Sequence, residues 1–118
     1  MKTYNGNCHC DNVTFSFSHE EIHSALRCNC SICIRKGAIM TDFVIPPDEF
    51  DFKLKEENSL GCYQFDNKVA KHYFCKKCGI FTFVQTLRKP DHYRVNLGCV
   101  NDIDTENIHV GMFDGKSI

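Results

Sequence analysis

Nine cysteines in a chain of 118 residues constrain the fold more than any other feature. The number is odd, so one chain cannot pair all of them as disulfides. The opening residues Met1-Lys2-Thr3-Tyr4-Asn5-Gly6 have no apolar segment of the kind a secretory signal needs, which points to the cytoplasm, where thiols stay reduced. Seven of the nine fall into three groups. Cys8-His9-Cys10 is a C-x-C, Cys28-Asn29-Cys30-Ser31-Ile32-Cys33 is a C-x-C-x-x-C, and Cys75-Lys76-Lys77-Cys78-Gly79 is a C-x-x-C-G of the zinc-knuckle form. Thiolates at such spacings suit tetrahedral zinc, and the glycine after the last pair permits the backbone geometry of a knuckle. The chain therefore reads as a small cytosolic metalloprotein, in which metal supplements a core of modest size.

Seven thiolates divide naturally into four and three. A closed four-ligand site and a three-ligand site with an open position are the zinc arrangements of a structural and a catalytic centre. The adjacent trio Cys28, Cys30 and Cys33 most naturally forms the open site, leaving Cys8, Cys10, Cys75 and Cys78 to staple the N-terminal strand to the second half of the chain. The same spacings equally allow two structural zincs, with His9, His72, Cys62 or Cys99 as the missing ligand. Cys62 and Cys99 lie in strand-like segments and read as buried small hydrophobes. The histidines show no paired ligand spacing; His19, His23, His92 and His109 read as surface or loop residues. A redox C-x-x-C is disfavoured because no βαβ pattern surrounds it.

The rest of the chain alternates with period two, as half-buried strands do. Val13, Phe15 and Phe17 form one such series, and Phe50, Phe52 and Leu54 another. Val95, Leu97 and Cys99 make a third, and Ile108, Val110 and Met112 a fourth. Further strands are expected over residues 41–45, 60–65, 70–74 and 80–86, the last apolar enough to be central. Turn residues separate them, as at Asp66-Asn67 and Lys89-Pro90-Asp91. Helix is confined to one or two turns over residues 31–37 and a short turn beginning at Pro47.

Composition sets outer limits. Hydrophobic residues are 42% and charged residues 25%, ordinary for one soluble globular domain spanning residues 1–118. No apolar run approaches the ~20 residues that cross a bilayer, so no membrane partner is expected. The net charge is −1, and two divalent ions with seven thiolates take it to about −4. With no basic run interleaved with aromatics, nucleic acid is not an expected partner either.

The cysteine groups and their flanking residues resemble one known family. G-x-C-H-C-x-x-V-x-F occurs at residues 6–15, C-N-C-S-I-C-x-R-K-G at 28–37, F-C-x-x-C-G at 74–79 and V-N-L-G-C at 95–99. In this order they are similar to the glutathione-dependent formaldehyde-activating enzymes, a family that also includes centromere protein V. The resemblance runs from about residue 4 to the low hundreds. It implies a mainly β, zinc-stapled antiparallel fold of the β-tent type with short helical turns. It also implies a structural zinc on Cys8, Cys10, Cys75 and Cys78 and a catalytic zinc on Cys28, Cys30 and Cys33. The implied activity joins formaldehyde to glutathione as S-(hydroxymethyl)glutathione, formally a carbon–sulfur lyase reaction. One departure is Asp11, where the family often has glycine after the C-x-C. Another is that the chain stops soon after Phe113-Asp114-Gly115, without the longer C-terminal portion of larger members, which bears on the pocket wall.

The trio suits such chemistry. Three thiolates make zinc an electron-rich, weak Lewis acid, better at holding a fourth sulfur than at generating hydroxide. Glutathione adds two carboxylates that call for cations, and Arg35 and Lys36 directly follow the trio; Arg88, Lys89 and Arg94 are the other candidates. The expected partners are thus a small-molecule thiol and a small aldehyde. The reading from another class is a zinc-stabilised protein-binding module without catalysis, which an open or water-bound fourth position in a cleft would argue against.

Overall fold

The computed structural model describes residues 1–65, 70–86 and 89–117. Its elements are strands β1 (Lys2–Asn7), β2 (Val13–His19) and β3 (Ser24–Cys28), helix α1 (Ser31–Lys36), then β4 (Phe50–Leu54), β5 (Leu60–Tyr63), β6 (Lys71–Cys75), β7 (Phe81–Gln85), β8 (Tyr93–Val95) and β9 (His109–Phe113). Short 3-10 turns cover Pro47–Glu49, Leu97–Cys99 and Gly115–Ser117. The fold is mainly β. No helix among the described residues is long and apolar enough to cross a membrane.

Three sheets result: β1-β2-β4, β5-β6-β7-β8, and the pair β3-β9. The first two are antiparallel throughout. The β3-β9 pair is parallel, setting Ser24 opposite His109 and Cys28 opposite Phe113. The predominantly antiparallel expectation did not include it, because a parallel pair joins distant segments and leaves no turn signal.

Aromatic rings join the two larger sheets. Phe83 on the internal strand β7 is fully buried. Its ring lies 4.9 Å from Phe50 and 5.8 Å from Phe15, edge to face with both, and 5.3 Å from Tyr73. Phe50 stacks on Tyr93 at 4.3 Å. Such offset and edge-on pairs add to the burial of the rings themselves. The alternation read from β2 holds here, with Val13, Phe15 and Phe17 all in the core.

Two expected strands are corrected. Residues 41–45 form no ladder, only isolated bridges at Met40 and Ile45. Between them Asp42 accepts a hydrogen bond from the Ser24 hydroxyl at 2.5 Å, and Phe43 lies face to face with His19 at 3.4 Å. These contacts draw the segment out of register. The series Val95, Leu97, Cys99 is buried as expected, but β8 ends at Val95. Asn96 turns the chain, its side-chain oxygen accepting from the Gly98 N–H at 3.0 Å while its amide donates to Phe81 O at 2.9 Å. Two strands, β1 and β3, were not anticipated.

Candidate metal centres

The turn between β1 and β2 presents Cys8 and Cys10, while Cys75 ends β6 and Cys78 lies in the turn from β6 to β7. Both turns are shaped around sulfur. The Val13 N–H donates to Cys8 Sγ at 3.3 Å, and the Lys77 and Cys78 N–H groups donate to Cys75 Sγ at 3.3 and 3.5 Å. The Asn12 amide adds a fourth donor, 3.6 Å from Cys75 Sγ. Gly79 has φ 80°, where a side chain would be strained, and its N–H closes the knuckle on Cys75 O at 2.8 Å. The predicted glycine role is met.

The four sulfurs gather within 4.8 Å of one another. Cys8 and Cys10 are 3.8 Å apart and Cys10 and Cys75 3.7 Å. A tetrahedral centre with metal–sulfur bonds of about 2.3 Å has edges of about 3.8 Å. That agreement, with an all-thiol donor set, fits a soft divalent ion. The microenvironment divides the thiols. Burial pushes Cys8 up to about 11, against the pull of the Val13 N–H. Burial pushes Cys75 up as well, but the N–H of Cys78, the Asn12 amide and the N–H of Lys77 outweigh it and bring that thiol to about 6.

The second group comprises Cys28 at the end of β3, Cys30 before α1 and Cys33 within it, their sulfurs also within 4.8 Å of one another. No further His, Cys, Asp or Glu among the described residues joins this trio. Burial pushes Cys33 up to about 12, and Cys30 as its hydrogen-bond partner adds to that. Burial also raises Cys30, yet the Cys33 N–H and the neighbouring thiols bring it below the ordinary thiol value. A cover lies over Cys28. The Asn29 side-chain amide donates to the Asp114 carboxylate at 2.9 Å, the Lys116 N–H donates to the Asn29 side-chain oxygen Oδ1 at 2.9 Å, and a methyl on Gly115 would fall 2.5 Å from Cys28 Sγ.

A cavity of about 190 Å³ opens beside Cys28 and Cys33, with Lys36, His72, Thr86 and Arg94 among its lining. Lys36 Nζ lies 3.1 Å from His72 Nδ1 and 3.7 Å from the Phe81 ring centroid. Burial lowers the Lys36 ammonium, opposed by the negative charge available at Cys33, Cys30 and Cys28. Burial, and next the charge of Lys36, bring His72 down to about 4, so its ring is neutral at pH 7 and accepts from the ammonium through Nδ1.

The structure separates the two cations paired in sequence. Arg35 is exposed, donates to Ser31 O at 2.7 Å and lines a different groove with Ile32, Tyr63 and Phe65. Arg94 lines the cavity, Lys89 is exposed on a turn, and Arg88 and the Asp66-Asn67 turn lie outside the described residues. His9 and Cys62 are exposed and Cys99 is buried, its thiol directed at Phe81 O. Exposure of Cys62 corrects the expectation of burial; β5 is the edge of its sheet. His72 as a cavity residue was missed, as was Thr86. Neither carries a spacing signal, since strand pairing across the sheet sets them beside the trio.

The family described as glutathione-dependent formaldehyde-activating enzyme matches residues 3–113. The fold is similar to the crystal structure of a Rhodobacter sphaeroides protein, with a TM-score of 0.81 and 31% sequence identity over 92% of this chain and 99% of that one.

Proposed function

The chain belongs to the glutathione-dependent formaldehyde-activating enzyme family, and on that basis we propose a zinc-dependent carbon–sulfur lyase that joins glutathione to a small aldehyde. The product is an S-(1-hydroxyalkyl) thiol adduct, S-(hydroxymethyl)glutathione when the aldehyde is formaldehyde. Residues 1–118 form its zinc-binding domain, with one structural and one catalytic zinc. The observation that supports this most is the cavity whose wall includes two cysteines of a three-sulfur group, beside a half-buried ammonium.

Zinc held by Cys28, Cys30 and Cys33 supplies, when bound, a soft cation that keeps an incoming thiol as its thiolate. The chain's own side chains supply the rest. Lys36, held between His72 and the Phe81 ring, donates to the aldehyde oxygen as negative charge develops there. A neutral His72 fixes the ammonium by accepting from it. Arg94 answers a glutathione carboxylate with a planar fork of donors. The exposed Arg35 reaches only a part of the tripeptide that extends beyond the cavity. Holding thiol and aldehyde side by side provides much of the acceleration.

Calorimetric titration of zinc-loaded protein with glutathione tests the reading. Saturable binding is expected, weakened about tenfold or more by Arg94→Ala, in line with loss of a charged hydrogen bond, and little by Arg35→Ala. Absence of binding with two zinc ions in place would remove the substrate and favour a zinc-stabilised protein-binding module instead.

A further inference from the structure

The cavity beside Cys28 and Cys33 offers more room and more hydrocarbon than formaldehyde uses. Its volume is about 190 Å³, whereas a cavity of about 150 Å³ lined by apolar side chains admits benzene. Formaldehyde has two heavy atoms and occupies roughly the space of one or two waters, each about 30 Å³. Leu26, Met40, Val44, Val84 and Phe113 supply apolar walls, brought together from β3, the segment after α1, β7 and β9. Cys28, Cys33, Lys36 and His72 also line this cavity, and His72 lies against the Lys36 ammonium at 3.1 Å.

Apolar walls contribute nothing to the binding of a carbonyl that carries only hydrogen. Each methylene moved from water onto such a wall improves binding about fourfold. The occupant that gains most is therefore a carbonyl group with a ring or chain of about six carbons attached.

We propose that the aldehyde taken at this site is an aryl or short-alkyl aldehyde, its substituent packed on the apolar walls of the cavity beside the part of glutathione held at Arg94, and its carbonyl directed at the sulfurs and Lys36. This rests on the reading of the trio as a thiol–aldehyde centre. In the step itself the thiolate sulfur forms one bond to the carbonyl carbon and the C=O π pair moves to oxygen. Oxygen then takes a proton, restoring the one the thiol gave up. The product is a hemithioacetal, and no oxidant or reductant takes part.

Initial rates with glutathione and formaldehyde, acetaldehyde, hexanal or benzaldehyde test the proposal on zinc-loaded protein, each corrected for the uncatalysed addition. Relative to that background, kcat/KM is expected to rise at least tenfold from acetaldehyde to hexanal or benzaldehyde. Val44→Phe, which fills the cavity, should cut the benzaldehyde-to-formaldehyde ratio at least tenfold; Leu26→Phe serves if that variant misfolds. Binding of unreactive benzyl alcohol, followed by ligand-observed NMR, should be lost in the same variant. Turnover of formaldehyde without any gain from a substituent would overturn the proposal alone. No turnover of any aldehyde, together with no glutathione binding, would overturn the thiol–aldehyde reading and the proposal with it.

Discussion

At Asp11 the backbone runs through the left-handed region, with φ 66°. That explains the glycine the family often carries there and why aspartate is a mild replacement. Aspartate visits this region more readily than most side chains, and the Asn7 amide holds its carboxylate at 2.6 Å. Asp11 stood out in the sequence; His72 did not. It entered only as one of several spare ligands, because its neighbour Lys36 lies 36 residues away and the pair is made by folding. His72 also carries a pH signature. Its value of about 4 in the fold compares with 6.5 for a free ring, so between those values the unfolded chain binds the extra proton. Stability is thus lost as pH falls through that window. His72→Gln removes this component while leaving the thiol titrations in place. The stability advantage of the natural chain over the variant should shrink by about 2 kcal/mol from pH 7 to pH 4, less than the full shift gives because the ring borders the cavity. Urea unfolding at several pH values measures it, and a difference independent of pH would contradict a buried neutral ring.

Among the elements, legibility followed locality. Strands β2, β4 and β7, helix α1 and the turn at Pro47 were readable because alternation, Gly37 and the proline act within a few residues. Strand β3 was not, since its main partner is β9 at the other end of the chain. The β9 pattern was misleading in one respect: Met112 is 63% exposed, while Phe113 turns toward the cavity. Beyond β9, the 3-10 turn Gly115–Ser117 lies over the trio and provides a selective test. Gly115→Ala meets no backbone obstacle, but its methyl would fall 2.5 Å from Cys28 Sγ and 3.2 Å from Cys30 Cβ. We expect a folded protein by circular dichroism with bound metal reduced from about two equivalents to about one. Such crowding typically costs about 1–3 kcal/mol. Retention of both equivalents would mean that the cover can move aside. Cys78→Ser, by contrast, should abolish cooperative folding.

For the whole molecule, the two cysteine groups differ in what they join. Cys10 and Cys75 are 65 residues apart, so the four-sulfur group ties the β1-β2 turn to the β6-β7 turn. Clipping a loop of that length limits the unfolded chain by about 4 kcal/mol on a chain-entropy estimate. The trio spans one short segment and ties nothing distant. A graded chelator titration should therefore remove one metal with the far-ultraviolet spectrum intact and the second with unfolding. Simultaneous loss of both metals and the fold would mean that both groups are structural. Cysteine spacing made this division readable, whereas the cavity beside the trio was not, since its walls come from segments that meet only in the folded chain. The late return of β9 has a consequence for synthesis. Asn29 and its partner Asp114 are 85 residues apart. A ribosome delivers the trio well before its cover and the Phe113 wall, which follow only after Cys78 has completed the four-sulfur group. Assembly is therefore vectorial: the staple can close on the nascent chain before the thiols of the trio gain their enclosure.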